Sequence, residues 1–303
     1  VTCLAADIGG TKIAAARVSD EGVVEGSVLT VPTPAAEGAE AVLDALVAVL
    51  RRLDRRGVSV VGVSSAGVID SSAGTVRGAT ASIRGWAGTP ISEYVSRALG
   101  WPVFVLGDGH AFAVGESVYG SARDAGSLLV LAAGTGVGGS YVSSRQPLLG
   151  SHWAGGHFGH LPVPQAAGLD CDCGRSGHLE SIGSGAGMVR WYRGNGGDPQ
   201  VTAARELFAR AKAEPTAARA VELGASALGT AAGGLANAFD PDVVVIAGGL
   251  SQAGARWEEP LRASFDQTLI PALAGLPLIT SEADEWLALR GVAYYARMRK
   301  GTP

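Results

Sequence analysis

Cys3-Leu4-Ala5-Ala6-Asp7-Ile8-Gly9-Gly10-Thr11-Lys12 is a short apolar run that ends in an acid, two glycines and a threonine, before a second apolar run from Ile13 to Val18. Two apolar runs joined by a glycine turn predict a β-hairpin. Gly9 and Gly10 expose backbone N–H groups and Thr11 adds a hydroxyl, so the turn can hold a phosphate; an ordinary hairpin turn is the competing reading. The design returns where the run 127–132 meets Ala133-Gly134-Thr135-Gly136-Val137-Gly138-Gly139-Ser140 and continues through Tyr141-Val142. Two such turns suggest a duplicated phosphate-holding unit. A lone Gly-x-Gly-x-x-Gly is weak evidence, and here no helix follows at once, which argues against a dinucleotide fold.

The 303 residues leave room for two domains or one large one. Hydrophobic content of 47% with 17% charge describes a packed chain, not a disordered one. The net charge is −4 and no basic stripe is present, which argues against nucleic acid as a bulk partner. No apolar run reaches the ~18 residues that a membrane span needs, so no membrane partner is expected. Residues 1–7 lack the basic segment and cleavage site of a signal peptide. Three cysteines, two of them close together, fit a reducing cytoplasm better than a disulfide framework. Among the 45 glycines, pairs such as Gly9-Gly10 and Gly248-Gly249 fall at the ends of apolar runs, as in proteins whose strand ends hold a ligand.

Further strands are predicted over 23–32, 58–64, 102–106 and 243–247. Helices are predicted over 38–56, 91–99, 184–193, 202–213, 217–239 and 286–298, with another starting near His110. Residues 65–70 read as a turn and 80–90 as a loop. Asp108 follows the strand 102–106, where an open α/β sheet delivers functional groups, and it can also cap the next helix. A carboxylate there can serve as general base toward a hydroxyl. Gly248 and Gly249, after the strand 243–247, let a ligand such as adenosine approach the backbone.

Four of the five histidines (His152, His157, His160, His178) and two of the three cysteines fall between 152 and 178. Cys171, Cys173, His178 and His160 make a complete tetrahedral zinc set, and Gly174 and Gly177 allow the tight turns it needs. A polar loop with unrelated thiols is the plainer alternative.

Taken in order, these features resemble the ROK family (repressors, open reading frames and kinases). Asp7-Ile8-Gly9-Gly10-Thr11-Lys12 is similar to the first phosphate motif of actin-like sugar kinases, Gly134 to Gly139 to the second, and Val244 to Ser251 to the adenosine motif. Gly155-Gly156-His157-Phe158-Gly159-His160 followed by Cys-x-Cys-Gly-x-x-Gly at 171–177 is similar to the family signature. The resemblance implies an α/β, actin-like (ribonuclease H-like) two-lobed fold with a cleft between the lobes. It sets a smaller lobe at 1–107, completed by a helix at 286–303, and a larger lobe at 108–285. It implies transfer of phosphate from ATP to the 6-hydroxyl of a hexose, with Mg²⁺ and a structural Zn²⁺, in a cytoplasmic homodimer.

By position, the resemblance makes Asp108 the base and Asp7 the acid that orients hydrated magnesium. Gly9, Gly10, Thr11, Lys12, Gly134, Thr135 and Gly136 hold phosphates, and Gly248 and Gly249 hold adenosine. Ser82, Gly107, Asp108, His157, His160 and Glu180 fall at sugar-contacting positions, with His160 also on the zinc.

Four positions depart from the family pattern. His178 stands for a third cysteine and His157 for a glutamate. Gly107 and Ser82 stand where the family has asparagines that meet the sugar near C3 and C4. Losing both amides points to a glucose-like sugar altered at C3, such as kanosamine. Glucose, N-acetylmannosamine and a non-catalytic sugar sensor are the alternatives.

Overall fold

The computed structural model describes residues 2–79, 82–281 and 284–301. The first two residues of the loop expected at 80–90 lie outside this set, as do the last two of the segment 286–303. Contacts divide the chain into two compact units. One comprises 1–124, 145–155 and 282–303, the other 125–144 and 156–281.

The first unit is built on the strands β1 (Thr2–Ile8), β2 (Lys12–Val18), β3 (Val24–Pro32), β4 (Val58–Ser65) and β7 (Val103–Gly107), in the order β3-β2-β1-β4-β7. β1 and β2 form the anticipated hairpin, with Ile8 opposite Ile13. β1, β4 and β7 run parallel, so their carboxyl ends share one edge. Helix α1 (Ala39–Arg51) packs Val42, Leu46, Val49 and Leu50 on the core. It stops at Arg51 and not at Arg56, because Asp54 takes both the backbone N–H and the guanidinium of Arg56 and turns the chain into β4. The segment after β4 is a small hairpin, β5 (Val68–Asp70) with β6 (Thr75–Gly78), where the sequence predicts a turn over 65–70 and nothing over 71–79. Helix α2 (Ile91–Leu99) has the predicted bounds.

Helix α3 (Asp108–Tyr119) belongs to this first unit, so the expected boundary at 107/108 moves to 124/125. The cause is its crossing with helix α9 (Leu287–Lys300). A Cβ on Gly291 would strike Ala111 O and the backbone of Gly115, and one on Gly115 would strike Leu287 O. The two helices meet backbone to backbone at these glycines. Together with β1, β2 and β4 they bury a core that includes Ala5, Val60, Leu106, Val114, Leu289 and Val292.

The second unit repeats the plan. β8 (Ser127–Ala133) and β9 (Val137–Ser143) form a hairpin, and a short strand β10 (Gln146–Pro147) follows in the first unit. β8 then runs parallel to β11 (Val243–Ala247), and β11 to β12 (Leu278–Thr280). The helices are α4 (Glu180–Gly183), α5 (Gly185–Gly194), α6 (Ala204–Arg210), α7 (Pro215–Phe239) and α8 (Ala255–Thr268). Helix α8 has no counterpart in the sequence reading, and Pro260 inside it is the reason. Its Trp257, Leu261 and Phe265 nevertheless recur every fourth residue and are buried against α7.

Candidate functional site

In the first unit the pairing register places Asp7 beside Ser64, and Ser65 beside Gly107. Asp7, Ser64 and Asp108 therefore stand at the carboxyl ends of three adjacent parallel strands. Ser64 Oγ donates to Asp7 Oδ1 at 2.6 Å. Burial pushes the Asp7 carboxyl above its ordinary value. The Asp108 charge adds to this, while the Ser64 bond and Lys12 oppose it. Asp108 is exposed, and one of its oxygens accepts from Gly109 N at 2.8 Å. The Asp108 carboxylate thus raises the proton affinity of Asp7, and carboxylates at such adjacent strand ends could hold a divalent cation.

An acid with a raised folded pKa stabilises the fold below its unfolded value and loses that contribution as pH rises through the folded value. Asp7→Asn is therefore expected to raise the urea midpoint of the metal-free protein at pH 7, with the gain shrinking toward acid pH. Equal midpoints across the pH range would show that burial of this charge costs nothing.

The turn between β1 and β2 closes with Gly9 N donating to Lys12 O at 3.0 Å, and Thr33 Oγ1 donates to Gly9 O at 2.7 Å. Ser82 lies beside this turn, since a Cβ on Gly10 would sit 3.4 Å from Ser82 Cβ. Thr11 is exposed at the tip. Lys12 points elsewhere: its Nζ pairs with Glu285 at 3.0 Å and lies 5.5 Å from the Trp286 ring centroid. At Gly107 a Cβ would come within 3.4 Å of His110 Cδ2 and 3.6 Å of Gly67 O. The buried His110 ring thus occupies the space beside the missing side chain.

In the second unit, Gly134 N donates to Gly136 O at 2.9 Å, closing the second glycine-threonine turn. Helix α5 fixes its carbonyls, with Gly185 N on Gly134 O at 2.8 Å and Ala186 N on Thr135 O at 3.4 Å. Beside the turn is a cavity of about 610 Å³, lined by Gly134, Thr135, Gly185, Ala186, Phe208, Gly249 and Leu250, with Thr202 and Arg205 among its other walls. This volume falls in the range of small-molecule sites, ~300–1,000 Å³. Gly249 lines it as expected. Gly248 does not: it is a spacer with φ of 84°, packed on the Ala133 carbonyl. Phe208 and Arg205 were missing from the sequence reading. Their signal is the i, i+3 spacing on one face of α6.

The cysteines and histidines do converge. The ligand atoms of His160, Cys171, Cys173 and His178 all lie within 4.8 Å of one another. Cys173 Sγ is 3.3 Å from His178 Nδ1, and Cys171 Sγ is 3.7 Å from His160 Nδ1. Two thiols and two imidazoles at this spacing fit a tetrahedral zinc with bonds of about 2.0–2.3 Å. Gly174 and Gly177, with φ of 83° and 82°, make the turns. Burial pushes the Cys171 thiol above its ordinary value, a cost that a bound soft cation removes by displacing the proton. His157 lies outside the set, its ring stacked on His160 at 6.2 Å between centroids. His152 belongs to the first unit.

This loop is fastened to the second turn. Phe158 packs where a Cβ on Gly139 would stand, and Gly159 packs on the Val137 carbonyl. Glu180, at the start of α4, accepts a hydrogen bond from Val137 N on Oε2 at 2.9 Å.

The sequence model of the ROK family matches residues 3–299. The chain belongs to the ROK family. A glucokinase of Thermotoga maritima is 29% identical to this ROK chain over 310 residues, 97% of each. An N-acetylmannosamine kinase of Yersinia pseudotuberculosis is also 29% identical, over 97% of this chain and 98% of the relative. Among solved structures, a ROK hexokinase from Thermus thermophilus superposes with a TM-score of 0.89 at 32% identity, covering all of both chains. A ROK glucokinase from Streptomyces griseus, in complex with glucose and AMPPNP, gives 0.79 at 29%, covering 98% of this chain and 100% of that one. The ROK chain therefore has the actin-like, ribonuclease H-like α/β fold in two lobes. No described helix is long and apolar enough to cross a membrane.

Proposed function

We propose that this ROK protein is an ATP-dependent sugar kinase that phosphorylates the 6-hydroxyl of a hexose or aminohexose, with Asp108 as general base. The carrying observation is the cavity against the second glycine-threonine turn, whose apolar wall of Phe208 and Leu250 suits a nucleoside and whose Thr135 suits its phosphates. Asp108 supplies an exposed carboxylate oriented by Gly109 N, able to accept the hydroxyl proton as the nucleophile forms. Asp7 would hold a hydrated Mg²⁺, which neutralises charge on the transferring phosphoryl group. Zinc on His160, Cys171, Cys173 and His178 would be structural. It would fix the loop that presents His157, His160 and Glu180 to the sugar.

The two relatives are equally similar to this chain and bear the names of different sugar kinases, so overall similarity does not choose the sugar. Gly107 and Ser82 support a glucose-like sugar altered at C3, such as kanosamine, with His110 beside the empty position. A screen of ADP release over kanosamine, glucose, N-acetylmannosamine, mannose, glucosamine and N-acetylglucosamine tests this, with Mg²⁺ and Zn²⁺ present. The expected result is a kcat/KM for kanosamine at least about tenfold above that for glucose, the effect of one well-placed polar contact. Turnover on none of them rejects the kinase reading, and a preference for glucose or N-acetylmannosamine rejects the C3 reading alone.

A further inference from the structure

Glu180 faces two ways. The reading above, on which this inference rests, gives it to the sugar. Yet its Oε2 accepts the Val137 N–H at 2.9 Å, immediately after the turn that borders the nucleotide cavity. The approach is tight, since a Cβ on Gly136 would stand 2.7 Å from the same oxygen. The glutamate's own backbone is fixed as well. Ser184 Oγ donates to Glu180 O at 2.7 Å and accepts from Gly187 N at 2.9 Å at the head of α5. The two preceding N–H groups of α5, those of Gly185 and Ala186, hold the carbonyls of Gly134 and Thr135.

We infer that Glu180 is a positioning residue for the phosphate donor as well as a sugar contact, so that binding of each substrate changes affinity for the other. The Val137 N–H fixes one carboxylate oxygen, leaving the other to accept from a sugar hydroxyl. A sugar that orders this carboxylate also orders the turn at 134–137 before the nucleotide arrives. By linkage the nucleotide must return the same favour to the sugar. A side chain that held only the sugar would leave nucleotide affinity unaltered.

The test measures AMPPNP binding to the full-length protein by calorimetry, with and without saturating sugar from the screen. Glu180→Ala is expected to weaken AMPPNP binding without sugar about tenfold, the scale of one hydrogen bond to a charged group. Glu180→Gln keeps an oxygen for Val137 N, so its AMPPNP affinity should stay near wild type while sugar affinity falls. Gly136→Ala leaves Glu180 in place but crowds its oxygen, and should weaken AMPPNP binding. In wild type, sugar should tighten AMPPNP binding, and in Glu180→Ala that enhancement should disappear. AMPPNP affinity unchanged in Glu180→Ala overturns the inference while the kinase reading stands. Equal loss in the Ala and Gln variants overturns it in favour of general damage. A wild type that binds no AMPPNP overturns both.

Discussion

Asp108→Asn is expected to lower kcat by about 1,000-fold, the middle of the range for a positioned general base. That corresponds to about 4 kcal/mol of lost transition-state stabilisation. The geometry makes this a clean substitution. Asn keeps the oxygen that accepts from Gly109 N, adds no volume, and sits on an exposed position at the head of α3. Thermal unfolding should therefore match wild type. AMPPNP affinity should change little, because the cavity proposed for the nucleotide is lined by residues of the second unit, whereas Asp108 belongs to the first. The asymmetry identifies the role: turnover is lost while fold and donor binding persist. A variant with kcat within tenfold of wild type removes Asp108 from the chemistry.

Removing a metal from the His160, Cys171, Cys173 and His178 set, the structural zinc site of the proposed function, is the second large perturbation. The segment 161–178 is held mainly by short-range backbone bonds, such as Cys171 N to Arg175 O and Gly177 N to Leu169 O. Few of its side chains reach the core; Val163, Ala166 and Cys171 are buried. Without a metal, the two thiols and two imidazoles are left with the weak Cys173–His178 and Cys171–His160 contacts. Structural zinc in small peptides supplies ~10–16 kcal/mol. Here α7, α8 and the sheet have their own core, so the loss stays local to the loop. Treatment with a strong chelator, or Cys171→Ser, is expected to expose the loop to protease and raise the sugar KM about 100-fold. As prepared, the protein should contain one zinc per chain by elemental analysis. A zinc-free protein with wild-type sugar KM would sink the structural-metal assignment.

Much of this was legible in the sequence wherever local chemistry decides the outcome. The glycine pairs after Ile8 and Ala133 announce their hairpins, because an apolar run followed by Gly-Gly-Thr or Gly-Thr-Gly has few other conformations. Asp108 follows the short apolar run 103–106, which places it at a strand end. The metal set is compact enough in sequence that the turns alone nearly bring it together. What stayed hidden depends on distant partners. Pro260 masks α8 until α7 is there to bury Trp257 and Phe265. β12 has three residues and becomes a strand only by pairing with β11. Phe208 looks like any amphipathic helix residue until the second turn faces it across the cavity. The bond between Glu180 and Val137 joins residues 43 positions apart, and nothing in either neighbourhood signals it.

The glycine crossing of α3 and α9 also bears on how the protein is made. Strands β1, β2 and β4 leave the ribosome early, yet part of their cover is α9, synthesised after every element of the second unit. The second unit, interrupted only at 145–155, has all its residues in hand by Ser281. Domains fold as units while translation proceeds at about 5–20 residues per second. The unit begun first is therefore finished last, and Cys3, Ala5 and Val60 stay uncovered on one side through most of synthesis. Gly115 and Gly291 are the latch that closes this late seam, and their lack of a side chain lets the final helix lie flat against a helix already formed.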